Sequence, residues 1–518
     1  MRGERLIDFV VDHAAQMGDK PAQHFRHRGD WRSLSWRQVL GWVSRVADRL
    51  PPPQHSQHLP TRIITRIGDG AAAIVAALAV QMHGSLEVAL GDCSDELMSV
   101  WMHRTNACCC LSAEQVWSAL DSSLDSSHPI VHTEGPLETD LSAAASLMLL
   151  TSGTSGSGGS DALGSRRGIV LSHAGLVANA FGKLSAVPQT SNDIRLSVLP
   201  LHHAFARTCD FGTWVVTGGE LICANDRLET TQALLRFRPT LMNLVPRLAM
   251  HWLREIDTSG SLQAVGMQRL RCVGVGGAAI DADAFCDFGR WGLTVIQGYG
   301  LTEAGPCVCS ATLENASQGY VGFPVAGCQV RLDDAGQLMV RGDSLMLGEW
   351  DAGSQAIDNR RVTPRGWLSS GDLAEFDDER GFKVLGRMDD RIVLPTGISF
   401  HAVGLESILA ATAAIQHAVV FADGHRVGVV VNLSADVDRI EDSWPGLKRV
   451  IRESIERWSD GDLKCGEIVF SDQPFTTSNG FVTGKGTVCR NAVLRQPNQS
   501  VQYARRIGPT IHVVTQGD

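Results

Sequence analysis

Along almost all of its 518 residues this chain alternates short apolar runs with longer stretches of helical pattern. "RIITRIG", "SLMLLT", "IRLSVLPL" and "LRCVGVGG" each end in Gly, Pro, Ser or Thr punctuation. Short apolar runs bounded in this way read as strands, and their alternation with helices predicts an α/β core. With 44% hydrophobic residues the chain can bury a large core and form two or more domains. No internal repeat of solenoid or propeller length is visible.

Several function classes drop out on composition. The formal net charge is -10 and neither sign gathers into a long block, so no nucleic-acid partner is expected. The opening "MRGERLIDFVVDHAAQMGDK" lacks the layout of a signal peptide. The most apolar window, Ala71 to Leu90, is interrupted by Gln81, His83 and Glu87, and is expected to be a buried helix followed by a strand rather than a membrane span. Peripheral membrane contact stays open. Thirteen cysteines, three of them adjacent at Cys108 to Cys110, suggest reduced thiols in a cytoplasmic protein. Cys307 and Cys309 make only a CxC, and His202 and His203 are adjacent, so the spacing of a zinc site is missing.

The stretch "LTSGTSGSGGSDALGSRRGIVLSH", Leu150 to His173, carries the first chemical signal. Its glycines allow N–H groups and hydroxyls to curl around phosphate oxygens, and Ser172 is placed to cap the helix after it. Taken alone, it reads equally as a Ser/Gly linker. A Walker-type loop is excluded because no lysine comes after the glycines, and "NGFVTGKG" near the other end has one residue too few and Gly486 where a hydroxyl is needed. The GxSxG elbow of serine hydrolases is absent from this stretch.

Read with "LPLHHAFAR", "RPTLMNLVPR", "VGVGGAAID", "QGYGLTEAGP", "VGFPVAGCQVRL", "GWLSSGDLAEFDDERGFKVLGRMDDRI" and "NGFVTGKGTVCR", in that order, the stretch resembles the phosphate loop of the adenylate-forming superfamily. That superfamily includes acyl-CoA synthetases, nonribosomal adenylation domains and firefly-type luciferases. The spacing from "GRMDD" to Glu406 is similar to the long-chain fatty acyl-CoA synthetases.

The resemblance implies a large N-terminal α/β domain, 1–387, and a small mobile α+β C-terminal domain, 388–518. It also implies ATP-dependent activation of a carboxylic acid, fatty by this branch, to an acyl-adenylate and its transfer to the thiol of CoA. Transfer to a carrier protein's phosphopantetheine and a non-catalytic nucleotide- or acyl-binding relative are the alternatives. Residue by residue, Thr151, Ser152, Gly153, Thr154, Ser155 and Gly156 are expected to hold the β- and γ-phosphates. Gly276, Gly277 and Ala278 are expected beside the adenine, Tyr299 stacked on it, and Thr302 at the α-phosphate. Glu303 matches the carboxylate associated with Mg²⁺, Asp372 the ribose ligand, Arg387 an arginine close to ribose and phosphates, and His203 a histidine on the substrate side. Asp389 and Asp390 fall where the family bends.

Two departures stand out. Ser157 to Arg167 separate the loop from the next strand where about three residues are usual, and Arg167 takes the place of a lysine. The catalytic lysine commonly lies three residues before an arginine; here Thr487 stands there before Arg490, and Lys485 is the nearest candidate.

Overall fold

The computed structural model describes residues 5–53, 59–121, 145–151, 166–434, 440–471, 474–476, 479–482, 488–495, 503–507 and 510–513. Two compact units emerge. One holds Met1–Thr151, Arg167–Ser370 and Ala374–Val384; the other takes up the chain from Leu385 and includes Gly371–Leu373. A domain boundary at 387/388 is our proposal.

The larger unit is built on two wide sheets. The first runs, in spatial order, through Phe323–Pro324, Cys307–Ser310, Thr294–Gly300, Cys272–Val275, Leu241–Leu244, Ile194–Ser197, Glu220–Cys223, Pro21–His27 and Asp30–Ser35. Its inner members are parallel. Parallel strands are covered on both faces, which is why Leu241–Leu244 and Cys272–Val275 are buried at every position. The second sheet runs through Ala356–Asp358, Gly348–Asp351, Arg167–Ser172, Ala145–Thr151, Leu86–Ala89, Arg62–Arg66 and Cys109–Ser112.

The apolar window is, as expected, the helix Gly70–Met82 followed by the strand Leu86–Ala89. Its helix is apolar on every side, and a helix of that kind must be enclosed. Nearby, the indoles of Trp36 and Trp214 stack with centroids 4.8 Å apart in the same core.

The polar, Ser-rich stretch "ALDSSLDSSHPIVHTEG", which reads in the sequence as a loop or short linker, begins inside a helix. Ala119 to Asp121 close the helix Ala113–Asp121, because Ala119 and Leu120 continue the buried face begun by Val116. The rest of that polar stretch, 122–135, lies outside the described residues. Among the described residues no helix is long and apolar enough to cross a membrane.

The smaller unit has a sheet ordered Ile415–Asp423, Arg426–Leu433, Cys465–Ser471, Tyr503–Ile507 and Thr510–Val513. The helix Ala402–Ala410 packs Ala402, Leu405 and Leu409 into its core. "GFKVLGRMDDRIVL", two short apolar runs around a charged turn, forms the strand Gly381–Arg387, a 3₁₀ turn Met388–Asp390 and the strand Arg391–Val393.

Candidate active site

In the larger unit the loop stretch begins on a strand and ends on its partner. Thr151 lies directly opposite Arg167 in an antiparallel pair, so Arg167 stands at the loop's exit. Ser172 then accepts from the backbone N–H of Gly175 and caps the helix His173–Ala186, a bond whose loss typically costs ~1 kcal/mol. Thr151 Oγ1 is buried without a hydrogen-bond partner among the described residues. Ser152, Gly153, Thr154, Ser155 and Gly156 lie outside those residues, as does Lys485.

Arg167 reaches a carboxylate cluster. Its Nη2 donates to Glu303 Oε1 at 3.0 Å and its Nη1 donates to Glu349. Arg361 Nη1 spans the same pair, 3.0 Å from Glu303 and 2.7 Å from Glu349. Burial pushes the Glu303 carboxyl up, and Arg167 and Arg361 more than reverse this, so it stays ionised below its ordinary range. Glu303 and Thr302 sit on the 3₁₀ turn Thr302–Ala304. Gly305 ends that turn with φ of 91°, where a Cβ would meet the Ser344 carbonyl at 2.9 Å.

The residues expected beside the adenine, on and after the two strands before this turn, are partly open. Gly277 and Ala278 are exposed beyond the strand Cys272–Val275, and Gly277 has φ of 83°. At Gly276 a side chain would press on the ring of Phe205 at 3.0 Å. Tyr299 is half-buried and packs on the cluster of Ala304, Val308 and Leu338. His203 is half-buried with its ring 4.2 Å from that of His202, and it leads into the short helix Ala204–Ala206.

Directly after that short helix the chain winds into a π-helical stretch, Arg207–Gly212, of the kind often found at functional sites; it was not legible in the sequence. It turns two charges inward. Arg207 pairs with Glu87 at 2.7 Å, each only 3% exposed, and Thr65 donates to the same oxygen at 2.8 Å. Asp210 accepts from Arg195 at 3.1 Å, Ser197 at 3.2 Å and Asn243 at 2.6 Å. Sequence reasoning also passed over Glu349, Arg361, Asn179 and Lys183. For the last two a signal existed, since a polar pair spaced i, i+4 on an otherwise apolar helix face must find partners inside.

In the smaller unit Arg387 Nη1 lies 3.3 Å from Asp372 Oδ1. The expected ribose ligand and its neighbouring arginine therefore share one ion pair. Arg490, the landmark for the displaced lysine, is anchored by Asp390 at 3.2 Å, by Glu406 and by the Val420 carbonyl at 2.8 Å.

A family model described as AMP-binding enzyme matches residues 10–350, and one described as AMP-binding enzyme C-terminal domain matches 389–506. The chain belongs to the AMP-binding enzyme family, which is the adenylate-forming superfamily its motif order pointed to. It is 26% identical to a chloroplastic long-chain-fatty-acid–[acyl-carrier-protein] ligase of Arabidopsis thaliana over 46% of this chain and 36% of that protein. It is 25% identical to a long-chain-fatty-acid–CoA ligase of Haemophilus influenzae over 51% of this chain and 49% of that one. The chain thus spans half or less of the length of these relatives. In structure it is similar to the o-succinylbenzoate coenzyme A synthetase of Bacillus subtilis solved with AMP. That match has a TM-score of 0.74 and 18% identity over 93% of this chain and 97% of the other. The fold is the mixed α/β fold of adenylate-forming enzymes.

Proposed function

We propose that this chain activates a carboxylic acid with ATP and passes the acyl group to the thiol of CoA. The observation that supports this best is Glu303, a nearly buried carboxylate kept ionised by Arg167 and Arg361, next to Thr302 and across from the exit of the Ser/Gly loop. In the first half-reaction an acid oxygen bonds to the α-phosphorus and the bond to pyrophosphate breaks. In the second a thiolate attacks the acyl carbon and AMP leaves.

Thr302 is assigned as a donor to the α-phosphate, and Thr151 Oγ1, buried and without a partner among the described residues, as a donor to the outer phosphates. Ser152 to Gly156 are assigned with it, Gly276, Gly277, Ala278 and Tyr299 to the adenine, and Asp372 and Arg387 to the ribose. His203 is assigned to the substrate side and Lys485 to the transferring carboxylate and pyrophosphate.

The donor set suits Mg²⁺ arriving with the nucleotide. Glu303 supplies one hard carboxylate, and no group of three or more His, Cys, Asp or Glu is gathered among the described residues. When bound, the ion neutralises phosphate charge. Arg167 and Arg361 hold Glu303 in place and ionised until then.

The motif spacing and the two named relatives favour a fatty acid; the Haemophilus relative's name favours CoA as the acceptor, and the Arabidopsis relative's name favours a carrier protein as the alternative. The thirteen free thiols favour the cytoplasm. Acid-dependent exchange of pyrophosphate into ATP tests the first half-reaction. Exchange that needs an acid and is lost in Lys485→Ala supports the reading; ATP binding without exchange on any acid makes the chain a non-catalytic relative. Acyl-adenylate that accumulates in the presence of CoA and clears only with a carrier protein moves the acceptor.

A further inference from the structure

The turn that carries Thr302 and Glu303 is held by one buried side chain. Asn179 lies on the helix His173–Ala186, is 2% exposed, and bonds to the backbone of the turn and of the strand after it. Its amide nitrogen donates to the carbonyl of Ala304 at 3.3 Å, to the carbonyl of Cys307 at 2.9 Å and to Ser344 Oγ at 3.1 Å. Its Oδ1 accepts from the backbone N–H of Cys307 at 2.9 Å. Ser344 Oγ donates in its turn to the Ala304 carbonyl at 2.8 Å.

Packing alone does not ask for an amide here. The helix neighbours Leu176, Val177 and Ala180 are buried and apolar, and an apolar side chain would fill this space without the cost of taking an amide out of water. Asn179 is tolerated because both of its polar atoms are paired. Directional bonds of this kind fix the orientation of a backbone turn, which apolar contact does not.

The same stretch of chain grips Glu303 a second time. The strand Arg167–Ser172 runs through the cap at Ser172 straight into the helix of Asn179, with no loop between them. At the start of the strand Arg167 holds the Glu303 carboxylate, and on the helix Asn179 holds the carbonyl of the residue after Glu303. The Glu303 carbonyl accepts from the backbone N–H of Met346, and Leu347, the next residue, donates to the Val170 carbonyl of that strand. Side chain and backbone of Glu303 are therefore set by one strand–helix unit.

We propose that Asn179 is a positioning residue: its amide holds the Thr302–Ala304 turn in the orientation in which Glu303 and Thr302 receive Mg²⁺ and the nucleotide. This rests on the roles given to Glu303 and Thr302 above and adds a residue that touches neither ligand and acts through the turn.

The test is calorimetric titration of the full chain with ATP, with and without Mg²⁺, for the wild type, Asn179→Ala, Glu303→Gln and the double variant; pyrophosphate exchange is measured on the same preparations. The wild type should bind ATP at least about tenfold more tightly with Mg²⁺, and Asn179→Ala should keep about threefold or less of that preference. Metal-free binding should stay within about threefold of the wild type, and the double variant should fall no further than Glu303→Gln alone. A lowered melting temperature with the Mg²⁺ preference intact makes Asn179 merely structural and overturns the proposal. So does a double variant that falls further than Glu303→Gln. Ser344→Ala removes only one hydroxyl from the same Ala304 carbonyl and should weaken the Mg²⁺ preference by a smaller factor. It decides the question where Asn179→Ala does not fold, and an unchanged preference in it then overturns the proposal. A wild type with no Mg²⁺ preference overturns the role of Glu303 and this inference with it. Exchange on no acid, beside the expected binding pattern, overturns acid activation and leaves the role of Asn179 supported.

Discussion

Two charged clusters in the larger unit, one at the loop's exit and one around Asp210, use the same chemistry in different proportions. At the exit, Arg167 and Arg361 meet Glu303 and Glu349, two charges of each sign, with both arginines about a third exposed. In the second, Arg195 pairs with Asp210 while Lys183 donates to the neutral hydroxyl of Ser310, all of them nearly or fully buried. A balanced, partly wetted cluster can hold a carboxylate ready and give it up to a stronger cation at little cost. The fully buried pair Arg207–Glu87 is the reference for both: balanced, dry, and linking two elements with nothing left over.

That contrast can be broken in four places. The largest effect belongs to the reference pair. Glu87→Ala strands the Arg207 guanidinium and should cost ~3–5 kcal/mol in chemical denaturation; a loss under 1 kcal/mol would mean that dry balance does not matter here. Next, Glu303→Gln should lower kcat/KM about 100-fold, ~2.7 kcal/mol at the transition state, measured by steady-state pyrophosphate release.

A third test uses acid, where the two clusters have opposite signs. Glu303 is held below its ordinary 4.5, so its stabilising contribution is complete above that pH and lost as pH falls through the depressed value. Asp210, facing Arg195, Ser197 and Asn243, is raised above its ordinary 3.8 by burial. Its contribution is therefore complete below 3.8 and lost as pH rises through the raised value. Melting temperature followed from about pH 3 to 7 should lose its acid-side fall in Glu303→Gln and its opposite component in Asp210→Asn. The smallest effect is expected at Arg361. Removing one of two half-exposed braces leaves the carboxylates in excess, and KM for Mg²⁺ and ATP should fall about threefold, ~0.6 kcal/mol.

The fold's alternation of strands and helices was legible because it is written locally. Ser172 caps its helix as a Ser before an apolar-periodic run should, and "RIITRIG" and "SLMLLT" became strands through their own burial pattern. Arg361 and Glu349 were not legible because they join Arg167 and Glu303 only through pairing of the strands Gly348–Asp351 and Arg167–Ser172. The π-helical stretch after His203 left no periodic trace either. Its six residues turn Arg207 and Asp210 inward by backbone geometry, and a 3.6-residue pattern cannot report that.

The pairing of Thr151 with Arg167 has a practical consequence. Both ends of the Ser/Gly stretch are clamped to neighbouring positions of one sheet, so its length is uncoupled from the position of the arginine at its exit. Lengthening costs little, since each doubling of a flexible loop adds only ~0.6 kcal/mol. Segments of other lengths can then be grafted between Thr151 and Arg167 with the carboxylate cluster left where it is.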